Sequence, residues 1–356
     1  MTAPDARLNL SRTHPLGPSI AATLIVRDEA RCITRCLESI SPFVDRIVVL
    51  DTGSSDDTVE LAKGCGAEVH HLDWPDDFAA ARNHALDLAD ADWNLIIDAD
   101  EWLASDGDIL RSWCEGPVRL GKLCINNLFD PPPGSPTDAP LPYTRNWQTR
   151  LLPRGVRYEG RVHEQPVSSL PRDTLHLHLN HDGYLDAQFA GKRDRNRPLL
   201  LLELQASPAD PYILYQLGKD AEVSHDYPAA SDWYAKASTL AEPEANWLHA
   251  LTIRYLHCLG QAGRVEEALG LAEQQMENWQ DSPDFFFVLG NLLLDRAMSD
   301  PAHALAQWLP LAESAWERCL DIGERPELEG SVHGRGSHLA QHNLDVMRSQ
   351  MALLGG

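Results

Sequence analysis

Three apolar runs, Ile20–Val26 (IAATLIV), Arg46–Leu50 (RIVVL) and Trp93–Ile97 (WNLII), constrain the fold more than any other feature of the chain. A short run without polar alternation describes a strand buried on both faces, the condition of a parallel sheet covered by helices. The intervening segments supply the helices. Ile33, Leu37 and Ile40 recur at helical spacing within residues 29–40, and Phe78–Leu88 is rich in alanine. The segment Asp51–Asp57 (DTGSSDD) carries turn and N-cap chemistry leading into a helix through Ala62. With Ala67–His71 as a short third strand, residues 20–97 predict an α/β domain with right-handed crossovers.

Beyond Asp100 the pattern changes. Lys122–Phe129, Gln148–Leu152 and Thr174–Asn180 read as strands, separated in part by the proline-rich loop Asp130–Pro142. From about Ala187 the chain turns helical. Tyr212–Val223 with Ala229–Leu240, Trp247–Leu259 with Val265–Gln275, and Phe285–Arg296 with Leu305–Leu320 form three helix pairs. Leu217-Gly218 recurs as Leu289-Gly290, and the spacings suit units of about 34–40 residues, the tetratricopeptide range. The residues from Ser331 onward read as a cap or fraying end. The expected division is a lead-in at 1–18, an α/β domain at 19–190 and an all-α repeat domain at 191–356.

The net charge of -23 opposes phosphate backbones and anionic membranes, so nucleic acid is excluded as a general partner. The seven cysteines are scattered without a CxxC pair and read as buried or partly buried free thiols, as in a reducing cytoplasm. No apolar run reaches the length of a membrane span, and the start shows no signal core, which makes a cytoplasmic protein the expectation.

Ligands of an open parallel sheet bind beyond the carboxyl ends of its strands. Those ends carry Arg27-Asp28-Glu29, Asp51, and Asp98-Ala99-Asp100. Acidic groups on one rim are costly unless a cation or hydroxyls bind there, and Mg²⁺ or Mn²⁺ takes one or two carboxylates plus substrate phosphates. In an extended segment Asp98 and Asp100 face the same way and both reach such an ion.

Four motifs in order resemble family 2 glycosyltransferases of the GT-A fold, over roughly residues 18–190. They are Val26-Arg27-Asp28-Glu29, Asp51-Thr52-Gly53-Ser54-Ser55-Asp56-Asp57-Thr58, Ala81-Arg82-Asn83-His84-Ala85-Leu86, and Asp98-Ala99-Asp100. The resemblance implies that Arg27, Glu29, Asp51, Arg82 and Asp98 contact the donor nucleotide. It implies further that Asp100, with Asp98, holds Mn²⁺ or Mg²⁺. The segment from Arg150-Leu151-Leu152-Pro153 to His163-Glu164, trailed by His181-Asp182-Gly183-Tyr184, resembles the SunS-like subgroup and certain lipopolysaccharide-core transferases. By position Glu164 is the catalytic base, with His163 and Glu159 as rivals, and His181 completes the metal shell. His176 and His178 lie on the polar face of an alternating strand rather than in a zinc site.

The function implied is inverting transfer of a hexosyl or N-acetylhexosaminyl group from a nucleotide-diphosphate sugar, with a uridine nucleotide preferred. Repeat arrays present concave surfaces suited to polypeptide, which makes a protein or peptide the expected acceptor. A cell-surface glycan or lipopolysaccharide is the alternative acceptor. Two other readings stand beside these: repeats that serve homodimerisation, and a non-catalytic scaffold with a decayed transferase domain.

Overall fold

The computed structural model describes residues 17–105, 107–130, 141–183, 185 and 196–354. Most of the lead-in, most of the proline-rich loop and the expected boundary near residue 190 lie outside them.

Strands β1 (Ile20–Val26), β2 (Arg46–Asp51), β3 (Glu68–His71) and β4 (Trp93–Ile96) pair in parallel in the order β3-β2-β1-β4. Helices α1 (Ile33–Ile40), α2 (Thr58–Gly64) and α3 (Phe78–Ala89) form the connections. Ile33, Leu37 and Ile40 pack with Leu24, Leu95 and Ile97 in one core, with Ala81 and Ala85 of α3 against Leu50 in another. Both faces of the central strands are therefore covered, which is why they read as unbroken apolar runs.

The second half of the sheet is mixed. After β5 (Glu101–Leu103) and α4 (Ile109–Cys114), strands β6 (Leu120–Leu128) and β7 (Tyr143–Pro153) form a long antiparallel pair, and β7 docks antiparallel on β4. A small hairpin of β8 (Arg157–Glu159) and β9 (Gln165–Val167) follows, then β10 (Arg172–His181) beside β6. The full order is β3-β2-β1-β4-β7-β6-β10-β5. This is the expected α/β sheet domain followed by helices, although β7 extends well beyond the predicted Gln148–Leu152.

The helical region comprises α5 (Arg197–Ala206), α6 (Pro211–Val223), α7 (Tyr227–Leu240), α8 (Leu248–Gln261), α9 (Val265–Gln275), α10 (Pro283–Ser299), α11 (Leu309–Ile322) and α12 (His338–Leu354). One packing device repeats. A Cβ on Gly218 would fall 2.3 Å from the Tyr234 ring, and one on Gly290 would fall 2.5 Å from Trp316. Each glycine lets an aromatic side chain of the following helix lie against backbone, so the recurrent Leu-Gly pair marks a structural repeat.

The C-terminal part is not a fraying end. Residues 326–333 run antiparallel to β7 with Val332 opposite Thr144, and α12 closes a core with Trp316 and Leu344. Arg145 N–H donates to Ser331 O (2.8 Å) and Gly330 N–H donates to Arg145 O (2.9 Å). His249, buried, fixes this strap from behind. Its Nδ1–H donates to Glu329 O (2.7 Å), which leaves Nε2 to accept from Ser282 Oγ (2.7 Å). Sheet and helices are thereby stitched along β7. All seven cysteines are free thiols, and Cys65 alone is partly exposed rather than buried. No helix among the described residues is long and apolar enough to cross a membrane.

Candidate active site

A cleft of about 1020 Å³ opens at the carboxyl ends of β1 and β4 and runs across β6 and β7 to α6. Arg27, Glu29, Arg82, Asp98, Asp100, His163, Glu164 and His181 all line it. Asp51 and Glu159 do not.

Asp51 ends β2 and is almost fully buried. Burial pushes its carboxyl up, but the N–H groups of Ser54 and Gly53 (both 3.2 Å) and His71 Nδ1 (3.2 Å) outweigh this and hold it below the usual range. The acidic turn then braces the first loop. Ser55 N–H donates to Asp28 Oδ1 (2.7 Å), Asp28 N–H to Ser54 Oγ (3.0 Å), and Glu29 N–H to Thr58 Oγ1 (2.7 Å). Asp28 takes a left-handed conformation (φ 55°), which sets the Arg27–Glu29 rim over the strand ends.

The sequence treated Asp98 and Asp100 as an extended pair; the structure turns the chain between them. Asp98 N–H donates to Glu101 Oε2 (2.9 Å) and Glu101 N–H donates to Asp98 O (3.0 Å), closing a tight turn after β4. The two carboxylates consequently diverge. Asp98 is clamped by Arg82 on Oδ1 and Arg150 on Oδ2, both at 2.9 Å. Burial would raise its carboxyl, but Arg150 and Arg82 hold it well below the usual range. Arg150 also reaches Glu101 Oε1 (3.1 Å), and burial leaves Glu101 pushed up to about 7 despite that contact. Arg82 pairs in addition with Glu164.

Asp100 takes the other direction. Its Oδ2 lies 3.5 Å from His181 Nε2, while His181 Nδ1 lies 2.8 Å from Asn127 Oδ1. Burial disfavours the imidazolium, yet the Asp100 hydrogen bond and the surrounding carboxylates raise His181 overall. The next residue, Asp182, is held by Arg31 (2.9 Å) and Arg35 (2.7 Å), which anchors the end of β10 to α1.

Asp100 and His181 suit a divalent ion. Gly183 leaves a recess over them: a Cβ there would lie 2.5 Å from His181 Nε2 and 2.7 Å from Asp100 Oδ2. The Nδ1 hydrogen bond to Asn127 directs the lone pair of Nε2 into the recess, the usual outer support of a metal-binding histidine. No group of three or more His, Cys, Asp or Glu side chains able to hold a metal occurs among the described residues. Two protein ligands with phosphate and water fit the habit of Mg²⁺ and Mn²⁺. Gly183→Ala is therefore expected to fold normally yet weaken Mn²⁺ binding about 10- to 100-fold; unchanged affinity by paramagnetic titration would contradict this use of the recess.

Sequence reasoning missed Arg150 as a clamp, Glu101 as its partner, Asn127 as the histidine's support, and Lys219, Gln216 and Glu329 on the far wall. The first was already in view, since Arg150 opens the quoted motif. The others carry no local signature.

Residues 24–116, from within β1 to just past α4, match the model for Glycosyl transferase family 2. A TPR repeat-containing protein of Synechococcus elongatus is 33% identical over 241 residues, covering 63% of this chain and 58% of that protein. The SPbeta prophage-derived glycosyltransferase SunS of Bacillus subtilis is 29% identical over 239 residues, covering 62% and 53%. The chain thus spans little more than half the length of these relatives. Glucosyl-3-phosphoglycerate synthase from Mycobacterium tuberculosis, solved with Mn²⁺, uridine diphosphate and glucosyl-3-phosphoglycerate, is 25% identical. It covers 32% of this chain and 45% of that one with a TM-score of 0.26, too slight a likeness to bear on what this chain binds.

Proposed function

We propose that the protein is an inverting glycosyltransferase that uses a nucleotide-diphosphate sugar, a uridine nucleotide by preference, with Mn²⁺ or Mg²⁺ at Asp100 and His181. The observation that carries this reading is the convergence, in one cleft, of that carboxylate–imidazole pair with Arg82 and Glu164. A divalent ion held there would offset charge on the leaving diphosphate.

In the reaction a nucleophile of the acceptor attacks the anomeric carbon as its bond to the diphosphate oxygen breaks. The nucleophile's proton passes to the Glu164 carboxylate, and the leaving oxygen keeps the bonding electron pair. Arg82 serves both sides of this exchange. Diphosphate oxygens and Glu164 compete for the same guanidinium, so donor binding draws Arg82 toward phosphate and releases the base. His163 is the weaker base. Burial and the nearby Lys219 push it down to about 3, leaving a neutral imidazole with little affinity for a proton at neutral pH. Its positive φ of 53° places strain beside Glu164, at the turn that delivers the carboxylate to the cleft.

The acceptor assigned here is a protein or peptide. The cleft runs unbroken from the donor end to α6, so a segment lying along the helices reaches Glu164. A scaffold with a decayed site is disfavoured by the buried, fully paired Arg82 and Arg150, which are expensive to keep without use.

The test is release of nucleoside diphosphate from a panel of nucleotide sugars with Mn²⁺, before and after chelation. Turnover that depends on the metal is expected, and turnover indifferent to chelation would overturn the metal assignment. Glu164→Gln should lower turnover about 10²- to 10⁴-fold while donor binding holds. A rate near wild type would move the base elsewhere.

A further inference from the structure

We propose that the end of the cleft walled by α6 and by the strap at residues 326–333 is the acceptor subsite. It takes an acidic peptide segment, with Lys219 as the principal anchor for a carboxylate. This rests on the transferase reading above and specifies its acceptor.

The chain has 53 acidic residues against 30 lysines and arginines, and most of its buried arginines are ion-paired. Three cations that line this cleft are different. Lys122 on β6, Arg172 on β10 and Lys219 on α6 have no carboxylate within 4 Å among the described residues. Such a grouping of unpaired cations in so acidic a molecule is a local arrangement that composition does not predict.

Lys219 is the deepest of the three. Its Nζ lies 5.6 Å from the Tyr215 ring centroid, a cation–π contact. The acids that influence it, Glu329 and Glu222, stand beyond 4 Å and hold other partners as well. Glu222 holds Arg254 (2.9 Å) and the Tyr234 hydroxyl (2.6 Å), and Glu329 Oε2 accepts the Trp147 N–H (2.9 Å). Burial, with Arg254 adding to it, brings the ammonium down to about 8, so an incoming carboxylate would restore a lost counter-charge.

A second observation points to peptide. Gln216, one turn earlier on α6, lines the same wall and is 3% exposed; it lies beside the Tyr212 hydroxyl, and its Oε1 has no donor in hydrogen-bonding geometry among the described residues. A buried carbonyl without a donor costs free energy until one arrives. A backbone N–H supplies that donor next to an acidic side chain. Tyr212 and Trp247, 5.9 Å apart between ring centroids, give the wall an apolar surface for the intervening chain atoms. Small-ligand pockets occupy about 300–1,000 Å³, so a cleft at the top of that range has room for donor and acceptor together.

The test uses the full chain loaded with uridine diphosphate and Mn²⁺. Three probes are titrated calorimetrically: a capped heptapeptide alternating glutamate with serine, its glutamine twin, and trigalacturonate. The glutamate peptide is expected to bind about tenfold more tightly than its twin. Lys219→Gln should bring the two within about twofold, and Lys219→Arg should keep the preference. Equal binding of the twins, binding of neither, or a preference that survives Lys219→Gln overturns the proposal. Tighter binding of trigalacturonate assigns the subsite to an acidic glycan instead. Uridine diphosphate binding is measured in each sample; its absence from the wild type would mark failure of the transferase reading, whereas its presence confines any failure to the acceptor subsite.

Discussion

Asp100→Asn is expected to lower metal-dependent turnover about 10³-fold and to abolish tight Mn²⁺ binding, with folding stability little changed. The substitution keeps the shape and removes the charge. Asp100 Oδ2 and His181 Nε2 face one recess beneath Gly183, so the loss falls on the ion's shell rather than on the core. The neighbouring carboxylate cannot substitute, because both oxygens of Asp98 are held by buried arginines. Asp98→Asn should behave differently: it leaves Arg82 and Arg150 short of counter-charge and costs stability as well as activity. Paramagnetic titration of Mn²⁺ beside a thermal melt separates the two effects. Turnover of Asp100→Asn within tenfold of wild type, or undiminished Mn²⁺ affinity, would remove Asp100 from the metal site.

This contrast between Asp98 and Asp100 shows what could be read from sequence and what could not. The buried runs at β1, β2 and β4 announced themselves through composition, because a strand covered on both faces has no polar register to hide in. The carboxylates at their ends followed from topology. Their division of labour did not. It depends on the turn closed by Glu101 and on Arg150, which arrives from β7 some fifty residues later. Asp51, expected to contact the donor nucleotide, is buried at the end of β2 and organises the turn that braces Arg27–Glu29. Of the two readings of the residues from Ser331 onward, the packed closing helix fits the cap, and the strap itself went unread because its Gly- and His-containing sequence has neither strand nor helix periodicity. Its ladder to β7 uses backbone groups, which leave no trace in side-chain pattern. The proposed acceptor wall was invisible for a related reason: Lys219 and Gln216 sit on an ordinary amphipathic helix, and only the packing of Ile213 and Leu217 of α6 with Val162 and Phe78 sets that helix beside the cleft.

Arg150→Met is expected to be the most destabilising single change in the site, and its cost should depend on pH. Arg150 is 6% exposed and serves Asp98, Glu101 and, through Nε, Gln148 Oε1 (2.9 Å). Asp98 retains Arg82 in the variant, but Glu101, 2% exposed, loses its cation. Breaking a buried pair from one side costs about 3–5 kcal/mol. In the wild type Glu101 already stands near 7 against an ordinary value of 4.5. The folded state therefore binds more protons than the unfolded state between these values, and Glu101's contribution is fully present below 4.5 and lost as pH rises through 7. Removing Arg150 raises Glu101 further and extends that loss to higher pH. Chemical denaturation should then show the full deficit at pH 8 and a much smaller one at pH 5, where the carboxyl is protonated with or without arginine. Glu101→Gln in the Arg150→Met background should recover most of the pH 8 deficit, since a neutral amide no longer needs the cation. A deficit of equal size at both pH values, or no recovery in the double variant, would mean that Arg150 stabilises the fold by packing and that the Asp98–Glu101 turn stands without it.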